Sequence, residues 1–145
     1  MKVEAVWEGN FKFTAAGETG YSVPMDTGVD NGGEGKGFKP VELPLMGLAG
    51  CSGVDVVLIL KKMRENMTTF KIEVDADRNA TEPKRYTAIR LLFRVGGEVK
   101  PDSVKKAIDL SLEKYCSVAN SLNADITYAY EVNGRRFPQE GYLHG

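Results

Sequence analysis

The chain has 145 residues, 42% hydrophobic and 27% charged, which is enough to bury the core of one globular domain spanning 1–145. Its 19 basic and 20 acidic residues nearly cancel and form no basic stripe, so no nucleic-acid partner is expected. The best apolar run, Val54 to Leu60, falls short of the roughly 18 residues of a membrane span, so no membrane partner is expected either.

The first 25 residues read as short strands. Val3, Ala5 and Trp7 alternate with Lys2, Glu4 and Glu8; Phe11, Phe13 and Ala15 alternate with Lys12 and Thr14; Tyr21, Val23 and Met25 follow the Gly17–Gly20 turn. This opening lacks the apolar core and cleavage site of a signal peptide, which points to a cytoplasmic location. Residues 26 to 39, with five glycines and few apolar groups, read as a mobile loop, either a flexible connection or a substrate-contacting segment.

Pro40 suits a first helical turn, and a helix is expected from Val41 to about Asn66. Leu45, Leu48, Ser52, Val56, Ile59 and Met63 form one face, widened by Val57 and Leu60, so this helix should be buried centrally. Two strands follow. In the first, Phe70, Ile72, Val74 and Ala76 oppose Lys71, Glu73, Asp75 and Asp77; in the second, Ile89, Leu91, Phe93 and Val95 oppose Tyr86, Arg90 and Arg94. A second amphipathic helix starts at Pro101-Asp102, with a stripe of Val104, Ala107, Ile108, Leu112 and Tyr115. A short helix at Val118–Leu122 and a strand through Ile126, Tyr128, Tyr130 and Val132 complete the pattern, ending at the Asn133-Gly134 turn. The order argues an α+β fold with mainly antiparallel sheet.

Chemistry-bearing residues are few. Two cysteines and one histidine cannot supply the four Cys/His ligands of structural zinc, so no metal is expected. His144 is penultimate, a poor position for a catalytic base. No phosphate-binding glycine loop occurs, and no bound cofactor is expected. Cys51 reads two ways: a small buried hydrophobe, or a reactive thiol. Gly47, Gly50 and Gly53 favour a locally irregular helix or a close backbone approach, since each glycine costs about 0.5–1 kcal/mol relative to alanine in a helix interior. Cys116 gains helical N–H groups, which lower a thiol's pKa, if a turn starts just after it. Pairing of the two needs Cα atoms about 4.4–6.8 Å apart, which spacing along the chain does not decide.

PVELPLMGLAGCSGVDVVLILKKMR, followed after two strands and a helix by EKYCSVANSL, resembles the OsmC/Ohr family of hydroperoxide-resistance proteins, and within it the less characterised OsmC-like branch. The resemblance implies an OsmC-like fold, mainly antiparallel sheets around a buried central helix, in an intertwined homodimer with a site shared between subunits. It implies a thiol-dependent peroxidase of organic hydroperoxides, serving oxidative-stress defence. Cys51 matches the attacking cysteine and Cys116 the resolving cysteine of a disulfide. An external dithiol, such as a lipoylated protein, is the implied reductant.

Two departures accompany the match. Family members hold the thiolate with an N-terminal arginine paired to a glutamate at the head of the central helix. Here residues 1–63 contain no arginine, leaving Lys36 or Lys39 as stand-ins. Glu42, the implied catalytic carboxylate, lies nine residues before Cys51 rather than ten, with Val41 in the usual slot; its other reading is a favourable charge at the helix N-terminus. Asp55, one turn after Cys51, would raise a nearby thiol's pKa if unpaired. These departures give a second expectation: a non-peroxidase dimer with a redox-sensitive cysteine pair, binding an apolar or thiol ligand at the subunit interface.

Overall fold

Period-two alternation at the N-terminus becomes a three-stranded antiparallel sheet, β1 (Val3–Trp7), β2 (Phe13–Gly17) and β3 (Ser22–Met25), in the computed structural model, which describes residues 1–145. These strands belong to the first of two compact units, Met1–Leu45; the second is Met46–Gly145.

The glycine-rich segment after β3 is organised where composition suggested a mobile loop. The Asp26 side chain is buried and its carboxylate accepts backbone N–H groups from Thr27 (2.8 Å), Glu34 (3.1 Å) and Lys36 (3.2 Å). Those bonds, led by that of Lys36, hold its carboxyl below the usual range. A bridge between Met25 and Phe38 closes the loop. An acceptor-only side chain thus collects donors that a loop would otherwise present to water.

A short turn at Pro40–Glu42 leads into α1 (Leu43–Lys62), with Lys61 and Lys62 at its C-terminal end, where cations suit the dipole. Leu48, Ser52, Gly53, Val56 and Leu60 are buried. They recur at three- to four-residue steps, as one helical face must. The face opposite is also apolar, yet Val54 is 68% exposed and Leu58 50%. Within one chain the helix is therefore covered on one side only. The segment Pro40–Lys62 is, by length and composition, apolar enough to cross a membrane. The Val54–Leu60 run, itself broken by Asp55, falls short of that length alone, but the Gly, Ser and Cys in the rest of the helix dilute its hydropathy very little.

The second unit's five-stranded sheet is ordered β4-β5-β6-β7, with β8 also on β6. β4 (Asn66–Arg78) and β5 (Tyr86–Glu98) form a long antiparallel pair that sets Ile72 beside Phe93 and Val74 beside Leu91. Ile89, Leu91, Phe93 and Val95 are buried, as their alternation required. β6 (Asp125–Val132) runs parallel to β5, the one departure from antiparallel pairing within this sheet. Parallel neighbours need a long crossover, and α2 (Pro101–Leu110) provides it, burying Val104, Ala107 and Ile108. At Asn133-Gly134, φ values of 51° and 85° make the left-handed turn into β7 (Arg135–Phe137). β8 (Leu143–His144) completes the sheet.

Past α2 the helix changes pitch. Ser111–Tyr115 is a π-helical turn, in which the Cys116 N–H donates to the Ser111 carbonyl five residues back at 2.7 Å. One extra residue per turn rotates everything after it. Tyr115, expected on the buried stripe, is 51% exposed, and Cys116 is completely buried in its stead.

Candidate functional site: two thiols between α1 and the π turn

Cys51 lies within α1, half-buried, on an unbroken helix. The glycines around it do not bend that helix, nor does another backbone approach it. A Cβ at Gly53 would sit 2.9 Å from the Ile72 side-chain tip on β4, while one at Gly50 would meet nothing within 4 Å. Gly53 thus lets a sheet side chain press close, and Gly50 leaves space beside the cysteine. Ser52, buried next to Cys51, donates its hydroxyl back to the Leu48 carbonyl (2.8 Å), as a serine inside a helix commonly does.

Cys116 is brought to Cys51 by the π turn. The Cys51 side chain lies near enough to the Cys116 thiol to help raise its pKa, and both cysteines are free. The Ala119 N–H points at the Cys116 sulfur at 3.4 Å. That contact is the expected donor from the following turn, a short one at Ala119–Ser121. It does not win. Burial pushes the Cys116 thiol up to about 11, with Cys51 and Asp55 adding to the rise and the Ala119 N–H opposing it. Asn120 holds the turn from the other side, donating its amide to the carbonyls of Leu112 (3.1 Å) and Cys116 (2.9 Å).

Asp55 and Ser111 form the polar centre of the site. The buried Ser111 hydroxyl lies 2.9 Å from an Asp55 carboxylate oxygen and 3.3 Å from the Ser52 carbonyl, and shares its one proton between them. Asp55 is therefore a partnered carboxylate, tied to the same turn that carries Cys116. Reading the sequence singled out Asp55 and missed Ser111. The signal was present: a serine at the position of the apolar stripe between Ile108 and Leu112. Beside Asp55 opens a cavity of about 440 Å³, walled by Leu58, Ile59, Leu110 and Tyr115, with Lys62 and Lys106 also on its lining.

The remaining candidates are placed elsewhere. Glu42 is half-buried in the turn before α1, at the positive end of the helix dipole. Lys36 is exposed and paired with Glu34 at 2.6 Å. Lys39 immediately precedes the Pro40 turn. His144 is exposed in β8, 3.6 Å from Asp125.

The family model described as OsmC-like protein matches residues 33–131. Protein YhfA of Escherichia coli K12 is 37% identical over 135 residues, covering 91% of this chain and 98% of YhfA. Among solved structures, a hypothetical protein from Aquifex aeolicus VF5 is 32% identical with a TM-score of 0.76, over 91% of this chain and 96% of that one. An organic hydroperoxide resistance protein OsmC from Legionella pneumophila has a TM-score of 0.71 at 17% identity, over 90% and 96% of the two chains, a likeness of fold. The α+β class expected from the element order is the class of these neighbours.

Proposed function

The chain belongs to the OsmC-like protein family, and from that premise we propose that it is a thiol-dependent peroxidase that reduces organic hydroperoxides. The observation that carries the reading is the proximity of two free thiols from distant segments, close enough for Cys51 to perturb Cys116, one half-exposed on α1 and one fully buried by the π turn. A reachable attacking thiol beside a sheltered second thiol is the arrangement a two-cysteine cycle requires.

In that cycle the Cys51 thiolate attacks the terminal oxygen of ROOH. The O–O bond breaks, the departing alkoxide takes a proton from solvent and leaves as alcohol, and Cys51 becomes a sulfenic acid. The Cys116 sulfur then attacks the Cys51 sulfur. The S–O bond breaks, hydroxide departs with the Cys116 proton as water, and a disulfide remains. An external dithiol, lipoylated or similar, reduces that disulfide by thiol exchange. Burial suits Cys116 to the second role, because a thiol held protonated is a poor competitor for the peroxide. Glu42 joins the set only indirectly, as a charge at the head of the helix that carries Cys51.

The functional form is a homodimer located in the cytoplasm. Val54 and Leu58 leave the far side of α1 apolar and uncovered, and a second copy of the same helix is its natural cover. A lipid setting suits this helix less well, because its other side is committed to protein: Gly53 meets Ile72 and Asp55 meets Ser111.

A second reading rests on the cavity beside Asp55. Its apolar walls would admit an apolar or thiol-containing ligand, with the cysteine pair acting as a redox-sensitive element at a subunit interface. One equivalent of cumene hydroperoxide separates the two. The peroxidase loses both thiols within seconds and forms one alcohol per chain. Retention of both thiols through minutes of exposure contradicts the peroxidase and leaves the binding module.

A further inference from the structure

Two hydrogen bonds on Ser111 connect the helix of Cys51 to the backbone of Cys116. The Ser111 carbonyl accepts the Cys116 N–H at 2.7 Å, and its hydroxyl reaches the Asp55 carboxylate at 2.9 Å and the Ser52 carbonyl at 3.3 Å. Ser52 and Asp55 follow Cys51 on α1 within a turn. The serine is fully buried, so no water competes for its hydroxyl. A π turn by itself has poor hydrogen-bond geometry and would relax toward an ordinary α turn, which would swing Cys116 out and Tyr115 in. Something must hold it: Ser111 ties it to α1, while Asn120 braces it from the other side.

We propose that Asp55 and Ser111 form a clamp that positions the Cys116 thiol against Cys51 for disulfide formation, with Asp55 as the anchor and Ser111 as the link. Neither residue touches substrate or exchanges a proton in the step; both act through the turn that carries the second sulfur. The inference rests on the two-thiol reading above and adds to it residues that the chain supplies from its own sequence.

The step can be followed without a hydroperoxide, which separates this inference from the peroxidase reading. The probe is an aromatic disulfide, dithiobis-nitrobenzoate, at one equivalent per full-length chain. The Cys51 thiolate attacks it, forming a mixed disulfide and releasing one thionitrobenzoate. Cys116 then attacks the Cys51 sulfur, closing the intramolecular disulfide and releasing the second. The first phase reads Cys51 and the second reads the placement of Cys116; Cys116→Ser abolishes the second and serves as its control.

Ser111→Ala and Asp55→Ala each slow the second phase by roughly ten- to a hundredfold, the cost of a reacting group misplaced by about an ångström, with the first phase within about twofold of wild type. Asp55→Asn keeps an acceptor oxygen for Ser111 and restores most of the rate, which a charge effect would not do. The double variant is no slower than either single one, because both break one connection. Second phases within twofold of wild type in Ser111→Ala and Asp55→Ala overturn the clamp. So does additive slowing in the double variant. A wild-type protein that passes this test yet ignores cumene hydroperoxide sinks the peroxidase reading and leaves the clamp standing.

Discussion

The polar face of the five-stranded sheet and the uncovered face of α1 are built on opposite terms. On the sheet, Arg90 bonds the carboxylates of Asp75 (2.6 Å) and Asp77 (2.9 Å), and Arg94 bonds those of Glu73 and Glu131 (2.5 Å each). Each guanidinium is satisfied by its own sheet, and that face asks for nothing more. On α1, Val54 and Leu58 stand in solvent beside a reactive-type residue, Cys51. The only charges on the cavity beside the site are Asp55, Lys62 and Lys106. The lesson is one of allocation. Arginine is spent on an inert ladder, and the thiol site is shaped by burial, a serine and a carboxylate.

If that contrast is right, damage to the two faces has different consequences. The largest effect falls on assembly. Leu58→Asp puts a charge on the apolar face and should convert the proposed dimer to the 15.9 kDa chain in sedimentation equilibrium. A variant that remains dimeric would show that another surface holds the copies together.

Next in size is a pH effect. The Cys116 thiol rises from its ordinary 9.0 to about 11, chiefly through burial. A group whose folded value is raised stabilises fully below its unfolded value and loses that contribution as pH climbs to the folded one. Wild type should therefore lose about 2 kcal/mol more than Cys116→Ala between pH 9 and 11. Tyr128 and Tyr130, also raised by burial, contribute in both proteins and cancel in the comparison. Parallel urea-derived stability curves for the two proteins would mean that Cys116 is not sheltered.

Smaller still is Arg94→Met on the sheet. Its pairs are partly exposed, so the variant should unfold in urea almost as wild type does and keep wild-type thiol kinetics. The smallest change belongs to Glu42→Gln. Loss of one carboxylate at a helix N-terminus costs about 0.3–1 kcal/mol, and the reaction rate of Cys51 with hydroperoxide should change by less than about fivefold. A drop of several hundredfold would give Glu42 a direct hand in the chemistry.

Much of the fold could be read from the chain because alternation and helical stripes are local. β4, β5 and β6 follow from runs such as Phe70–Ala76 and Ile89–Val95, and α1 from its recurring Leu and Val residues. β7 and β8, three and two residues long, carry no such signal. The parallel pairing of β5 and β6 is a long-range fact, implied only by the length of the crossover. Cys51 and Cys116 were recognisable as candidates, but their meeting was not. It depends on a one-residue insertion of helical phase at Ser111–Tyr115, and no residue type announces a π turn. The buried Ser111 is the available hint, and it answers the question that Asp55 poses in the sequence by pairing with that carboxylate.

The central claim is that Cys51 is oxidised first and Cys116 resolves it. Its most direct test is mass spectrometry of Cys116→Ser after one equivalent of cumene hydroperoxide, with dimedone present to trap sulfenic acid. The account predicts one dimedone adduct per chain, located on Cys51, while wild type treated alike carries an intramolecular Cys51–Cys116 disulfide and almost no adduct. An unmodified Cys51 in the variant, with its thiol intact, would contradict it.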